Sequence, residues 1–400
     1  MAVPLALSRR RDYAGPALFS YGFRPFFLGA ALWAAGGILL WLPFYYGDIA
    51  VPTAMAPLDW HMHEMLYGYV AATMAGFLLT AIPNWTGRLP VLGLPLAALV
   101  GLWLAGRVAV FLSEVIGPAS AAVIDVSFLL ALAGVALREI IAGKNWRNLR
   151  VLGGLAVFIL GNIVWHVEIM RAGAGDYGVR IALAAVMVMI MLIGGRIVPS
   201  FTRNWLVRMN PGRLPRPFGR YDGVSLAIAA LALLTWIVLP HRPATGMLLL
   251  AAGILHAVRL VRWAGDRTAA DRLVLVLHVA YAFVPLGFML LGTSVFWPDA
   301  VPPSAAIHAW TAGAVGLMTL AVMTRATLGH TGRALAAGPA TQVIYLVAGT
   351  AALLRVGAAL TGSLELMHIA AAGWIAAFAG FALVYGPLLV NKPPVWLARP

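Results

Sequence analysis

Residues 60–82 read WHMHEMLYGYVAATMAGFLLTAI: a polar entry of Trp60, His61, Met62, His63 and Glu64, then an almost unbroken apolar run. A helix needs about 20 mostly apolar residues to cross the hydrocarbon core of a bilayer. This stretch has that length, and it carries ionisable groups where the crossing begins. The same template fits elsewhere in the chain. It predicts twelve spans, at 25–46, 62–82, 92–112, 121–142, 150–171, 179–199, 223–240, 244–263, 273–292, 304–325, 340–360 and 366–390. Turn-forming pairs such as Gly117/Pro118, Pro211/Gly212 and Pro302/Pro303 mark breaks between them.

Composition agrees. Of 400 residues, 62% are apolar and 10% charged, and the mean hydropathy is +0.89, values outside the range of soluble globular domains. The expected fold is an all-α polytopic membrane protein. It would comprise a cytoplasmic segment over 1–24, one twelve-helix domain over 25–391 and a cytoplasmic tail over 392–400. Arg9, Arg10 and Arg11 precede the first apolar run without a short hydrophobic region and cleavage site, so that run is expected to remain as a helix. The net charge of +14 resides in short loops between apolar spans. There it acts as a topology and headgroup signal rather than a nucleic-acid footprint.

Lys and Arg collect on the cytoplasmic side of membrane proteins. One set of connections holds Arg24, Arg88, Lys144, Arg147, Arg150, the loop from Arg196 to Arg220, Arg262, Arg267, Arg272, Arg325, Arg333, Lys392 and Arg399. The other holds Asp48, Asp59, Glu114, Asp299 and Glu365, with Arg171, Arg180 and Arg242 as its basic residues. Both termini are therefore expected in the cytoplasm, as in a multi-pass protein of the inner membrane.

The chain has nine His and no Cys. Disulfides, thiolate metal sites and covalent c-type haem are excluded, which leaves imidazole, carboxylate and thioether as metal donors. An ionisable side chain within a bilayer costs roughly 2.5 to 3.5 kcal/mol on insertion scales, so each is a functional-site candidate. At 1.5 Å of rise per residue, His61, His63, Glu64, His166, Glu168, His308 and His368 are expected near the outer face. Arg107, Arg355 and Asp125 fall in the outer halves of their spans. The five His are candidate metal ligands, with His256 and His278 as weaker candidates for a second site, and His241 and His330 read as loop residues. His61 and His63, two apart, point to nearly opposite helix faces and are not expected to chelate one ion together. Arg107 and Arg355 would be satisfied by Glu64 and Glu168, or by haem propionates.

The second, sixth and tenth spans end alike: Pro83, Asn84, Trp85, Thr86, Gly87, Arg88; Pro199, Ser200, Phe201, Thr202, Arg203, Asn204, Trp205; and Thr324, Arg325 through Gly332, Arg333. This echo raises the expectation of three pseudo-symmetric four-helix units, against the plainer reading that Gly, Pro, Trp and Arg all favour inner helix ends.

Those segments, together with Phe19, Ser20, Tyr21, Gly22, Phe23, Arg24, Pro25, Phe26, Phe27, with Trp60 to Met65, with Gly76 and Phe77, with Gly195 to Trp205 and with His308 to Arg333, resemble the NnrS family of bacterial membrane proteins. The resemblance implies haem and copper binding and tolerance of nitric oxide, often beside denitrification genes. A more distant similarity is to the catalytic subunits of haem-copper oxidases and nitric oxide reductases. That similarity would match His61 or His63 with His308 as haem ligands, although the sixth span offers Met187, Met189 and Met191 in place of His.

The resulting expectation is a haem b protein that binds or turns over nitric oxide, as a sensor, sink or nitric oxide reductase. Copper is a further candidate cofactor, Glu64 and Glu168 are the candidate proton-relaying acids, and a quinol or periplasmic redox protein would be the electron donor. The alternatives are a secondary transporter of a metal or metal chelate, which would need acids along the full depth of a central path, and a structural partner of a respiratory complex.

Overall fold

The structure, a computed structural model, describes residues 13–392. The expectations for Arg9, Arg10, Arg11 and Arg399 lie outside the described residues. Among the described residues, twelve helices are long and apolar enough to cross a membrane. They are α1 (Phe23–Tyr46), α2 (Pro57–Thr86), α3 (Leu94–Phe111), α4 (Pro118–Ala142), α5 (Leu149–Ala172), α6 (Tyr177–Met209), α7 (Arg220–Val238), α8 (Pro243–Arg267), α9 (Arg272–Phe296), α10 (Pro303–His330), α11 (Pro339–Thr361) and α12 (Leu364–Val390). No strand occurs among the described residues. The reason is the solvent: in hydrocarbon every backbone N–H and C=O must be satisfied within the segment, and a helix does this alone. With twelve such helices among its described residues, the chain is a multi-pass membrane protein.

The largest departures from the sequence boundaries are in α2, α6 and α10, whose terminal motifs are helical rather than loop. α6 continues to Met209 through Pro199, and α2 to Thr86 through Pro83. Membrane helices tolerate Pro because neighbouring groups re-satisfy the backbone that it frees. Each of these three helices also contains a π-helical segment: Glu64–Val70, Ile190–Gly194 and Ala309–Gly316. Such segments widen the helix locally and change which side chains share a face.

Contacts divide the chain into two compact units. The first runs to Ala182 and adds Ala326–Arg333 and the segment from Phe381; the second comprises Leu183–Arg325 and Ala334–Gly380. In the first, α1 packs on α2, α2 and α3 on α4, and α4 on α5. Arg24 at the start of α1 is buried and donates from Nη1 to the carbonyls of Leu389 (2.8 Å) and Asn391 (3.0 Å), which closes the α12 C-terminus on α1. In the second, α7, α8, α9, α10 and α11 pack in succession.

Candidate metal centre

Four helices of the first unit bring their ionisable residues to one place. α2 supplies His63 and Glu64 at the point where its α-helix gives way to the π segment. α3 supplies Arg107, α4 Asp125, and α5 Asn162 and His166, which are four apart and so share a helix face. All six are buried.

Asp125 is the hub. His166 Nε2 lies 3.1 Å from its Oδ2, His63 Nε2 lies 3.3 Å from the same oxygen, and Asn162 Nδ2 donates to it at 2.8 Å. Its other oxygen is bonded by Arg107 Nη2. Arg107 Nη1 donates to Glu64 Oε1 at 2.6 Å, and His63 Nδ1 lies 3.1 Å from that oxygen. Arg107 thus bridges two carboxylates, which is how a charge becomes tolerable in a dry interior. Asn162 is fixed in orientation by its donation to Asp125, so its Oδ1 faces His63 Nε2 at 3.2 Å.

One donor atom each from His63, Asp125 and His166 lies within 4.8 Å of the other two, so the group could hold a metal ion. A haem axial ligand needs something different, an imidazole nitrogen facing a flat macrocycle. Here the two imidazoles converge on one carboxylate oxygen with ring centroids 5.1 Å apart, and Arg107 is taken by Glu64 and Asp125 rather than left for a propionate. The pair, with Asp125, could hold a single ion.

The remaining candidates are dispersed. His61 stacks on Trp41 at 4.3 Å and points away from His63, as the two-residue spacing requires. Glu168 accepts from the backbone N–H groups of Asp176, Tyr177 and Gly178 at 3.0, 2.8 and 2.9 Å, which satisfies the free donors at the start of α6. Asp59 accepts from Gly175 in the same loop at 3.1 Å.

His308, Arg355 and His368 belong to the second unit. His308 Nδ1 donates to Ser304 O at 2.7 Å, making Nε2 the acceptor nitrogen, the tautomer suited to a metal ligand. Arg355 is half-buried on α11 and His368 exposed near the start of α12. Also in that unit, His256 lies 2.9 Å from the Tyr281 hydroxyl, which accepts from Arg259 Nη1 at 2.9 Å. Arg259 in turn donates to Asp222 at 2.9 Å and to the Met191 carbonyl in the α6 π segment at 3.0 Å. His278 Nε2 bonds Thr202 at 2.8 Å. His241 is exposed in a turn, and His330, at the end of α10 in the first unit, packs on Tyr21 and Phe23.

Asp125 is expected from the sequence in the outer half of its span but not as a ligand, and Asn162 and Tyr67 are not among the sequence candidates. The available signal was spacing: Asn162 precedes His166 by four residues, and Tyr67 follows His63 by four.

No match to the chain is found among curated proteins. The family model described as NnrS protein matches residues 17–392, and the chain accordingly belongs to the NnrS family.

Proposed function

We propose that this chain is a membrane metalloprotein that binds nitric oxide, or turns it over, and so protects against nitrosative stress. Membership of the NnrS family suggests a role in the nitric oxide response. The observation that carries the reading further is the buried convergence of His63, Asp125 and His166. Nitric oxide is small, uncharged and lipid-soluble, so a site enclosed among spanning helices needs no polar entry path. A transition metal there would supply the position at which the gas is held. Asn162 orients Asp125, Arg107 offsets the carboxylate charge, and Glu64, beside His63, would be the proton-relaying acid of this reading.

Reduction of two nitric oxide molecules to nitrous oxide and water consumes two electrons and two protons. A reductase would therefore need a quinol or periplasmic redox protein as donor. Copper suits the imidazole and carboxylate donors. Haem b, if carried, is better served by His308, whose tautomer is set by Ser304. The loop charges support a place in the bacterial inner membrane with both termini cytoplasmic.

The test is metal analysis, a visible spectrum and a nitric oxide titration on the purified full chain, expressed with iron, copper and haem in supply. A stoichiometric metal that binds nitric oxide, and is lost in His63→Ala and His166→Ala, is expected. Protein that carries no metal and binds no nitric oxide would overturn the proposal.

A further inference from the structure

We infer that the His63, Asp125 and His166 group is a non-haem ferrous centre, and that Tyr67 donates a hydrogen bond to the neutral diatomic ligand held there; the identity of that ligand as nitric oxide rests on the function proposed above.

Two of the three donor separations match neighbouring positions on one coordination sphere, and all three lie within 4.8 Å. Cis ligands on an octahedral ion with bonds of ~2.1 Å sit ~3 Å apart. His166 Nε2 and His63 Nε2 lie 3.1 and 3.3 Å from Asp125 Oδ2. Two imidazoles and one carboxylate are the donor set that, arranged on one face, suits non-haem ferrous iron. Asn162 Oδ1, 3.2 Å from His63 Nε2, adds a further oxygen. The group itself is imidazole and carboxylate, and the chain has no Cys to add a thiolate, the soft donor that would favour cuprous copper.

Four buried side-chain atoms at or beside the centre, Glu64 Oε2, Tyr67 Oη, Arg107 Nε and Trp165 Nε1, have no hydrogen-bond partner among the described residues and point to a ligand. An unpaired buried donor costs about 1–3 kcal/mol, which a native fold rarely leaves unexplained. Tyr67 stands four residues after His63, with ring centroids 5.0 Å apart, and its ring is fixed by Phe158 at 4.8 Å and Trp165 at 6.4 Å. A Cβ on Gly161 would fall 2.9 Å from the hydroxyl, so only glycine leaves that oxygen its place. The phenol ring stands beside the His63 imidazole, and its hydroxyl has no hydrogen-bond partner among the described residues. Binding needs no redox partner: one metal–nitrogen bond forms, any metal-bound water leaves, and the Tyr67 proton stays on its oxygen.

The experiment uses the full chain in detergent, stripped with a chelator and loaded without oxygen with ferrous, zinc, cupric or cuprous salt in separate portions. Nitric oxide is added from a donor compound, and low-temperature EPR is recorded. Stoichiometric ferrous loading with the high-spin quartet signal of a non-haem nitrosyl is expected, absent in Asp125→Asn and in His166→Gln. The second variant keeps the Arg107 bridge intact should the first fail to fold.

In Tyr67→Phe, which preserves the ring packing, nitric oxide should leave about tenfold faster, the equivalent of one hydrogen bond. The N–O stretching frequency should also shift. Copper loading without iron loading, or only the low-spin signal of a haem nitrosyl, overturns the ferrous assignment and leaves the proposed function standing. The absence of any nitric oxide signal with every metal sinks both. An unchanged stretch and release rate in Tyr67→Phe removes Tyr67 from the site.

Discussion

Arg107 Nη1 lies 2.6 Å from Glu64 Oε1 in an interior closed to solvent, while the other arm of the same guanidinium holds Asp125. Three helices, α2, α3 and α4, are pinned by this one side chain. Removing one member of a buried ion pair strands the rest, at about 3–5 kcal/mol. Arg107→Ala is therefore expected to lower the thermal midpoint sharply in detergent. Arg107→Lys should rescue little, because a single ammonium cannot span two carboxylates as a planar fork does. A thermal melt in which Arg107→Lys matches the unaltered protein would show that the bridge is not needed.

Glu168 caps the start of α6. Its two oxygens accept three backbone N–H groups at the start of α6. Glu168→Ala should cost about 1–2 kcal/mol, as loss of a helix cap does, and should leave nitric oxide binding unchanged. Glu168→Gln, which keeps an acceptor, should cost less. Loss of nitric oxide turnover in a fully folded Glu168→Gln protein would restore this residue to the proton relay.

α5 and α6 approach closely at Gly178, where a Cβ would stand 2.6 Å from the backbone nitrogen of Trp165. Backbone cannot rotate away as a side chain can. Since His166 is the next residue after Trp165, Gly178→Ala should both reduce stability and weaken metal retention. Thermal unfolding and metal content, measured on the same preparation, check the two effects together.

Orientation is testable because the chain lacks Cys. The single-cysteine variant Asp299→Cys should react with a membrane-impermeant maleimide in spheroplasts. Ala337→Cys should react only after the membrane is opened. The reverse pattern would invert the topology inferred from the loop charges.

The twelve helices were legible because bilayer thickness imposes one length and one composition on every span, and residues 60–82 already carried both signals. Helix termini were less legible. Pro83 and Pro199 look like stops in a soluble chain, yet helices run through them among neighbouring spans. His63, Glu64, His166 and Arg107 were found as costly residues in an apolar medium. What that rule could not supply was company: it counts each residue's depth and not its azimuth around the helix.

Local sequence therefore determined which segments cross the membrane and which polar residues would have to justify their place there, since both follow from transfer free energy residue by residue. Tertiary structure alone decided that Asp125 on α4, rather than another His, joins His63 and His166, and that Arg107 answers two carboxylates. It likewise set Glu168 at the α6 terminus and left the Tyr67 hydroxyl without a hydrogen-bond partner among the described residues. Those outcomes depend on how each helix is rotated against its neighbours. Rotation is set by packing across helices distant in sequence, with a π segment beginning at Glu64, immediately after His63.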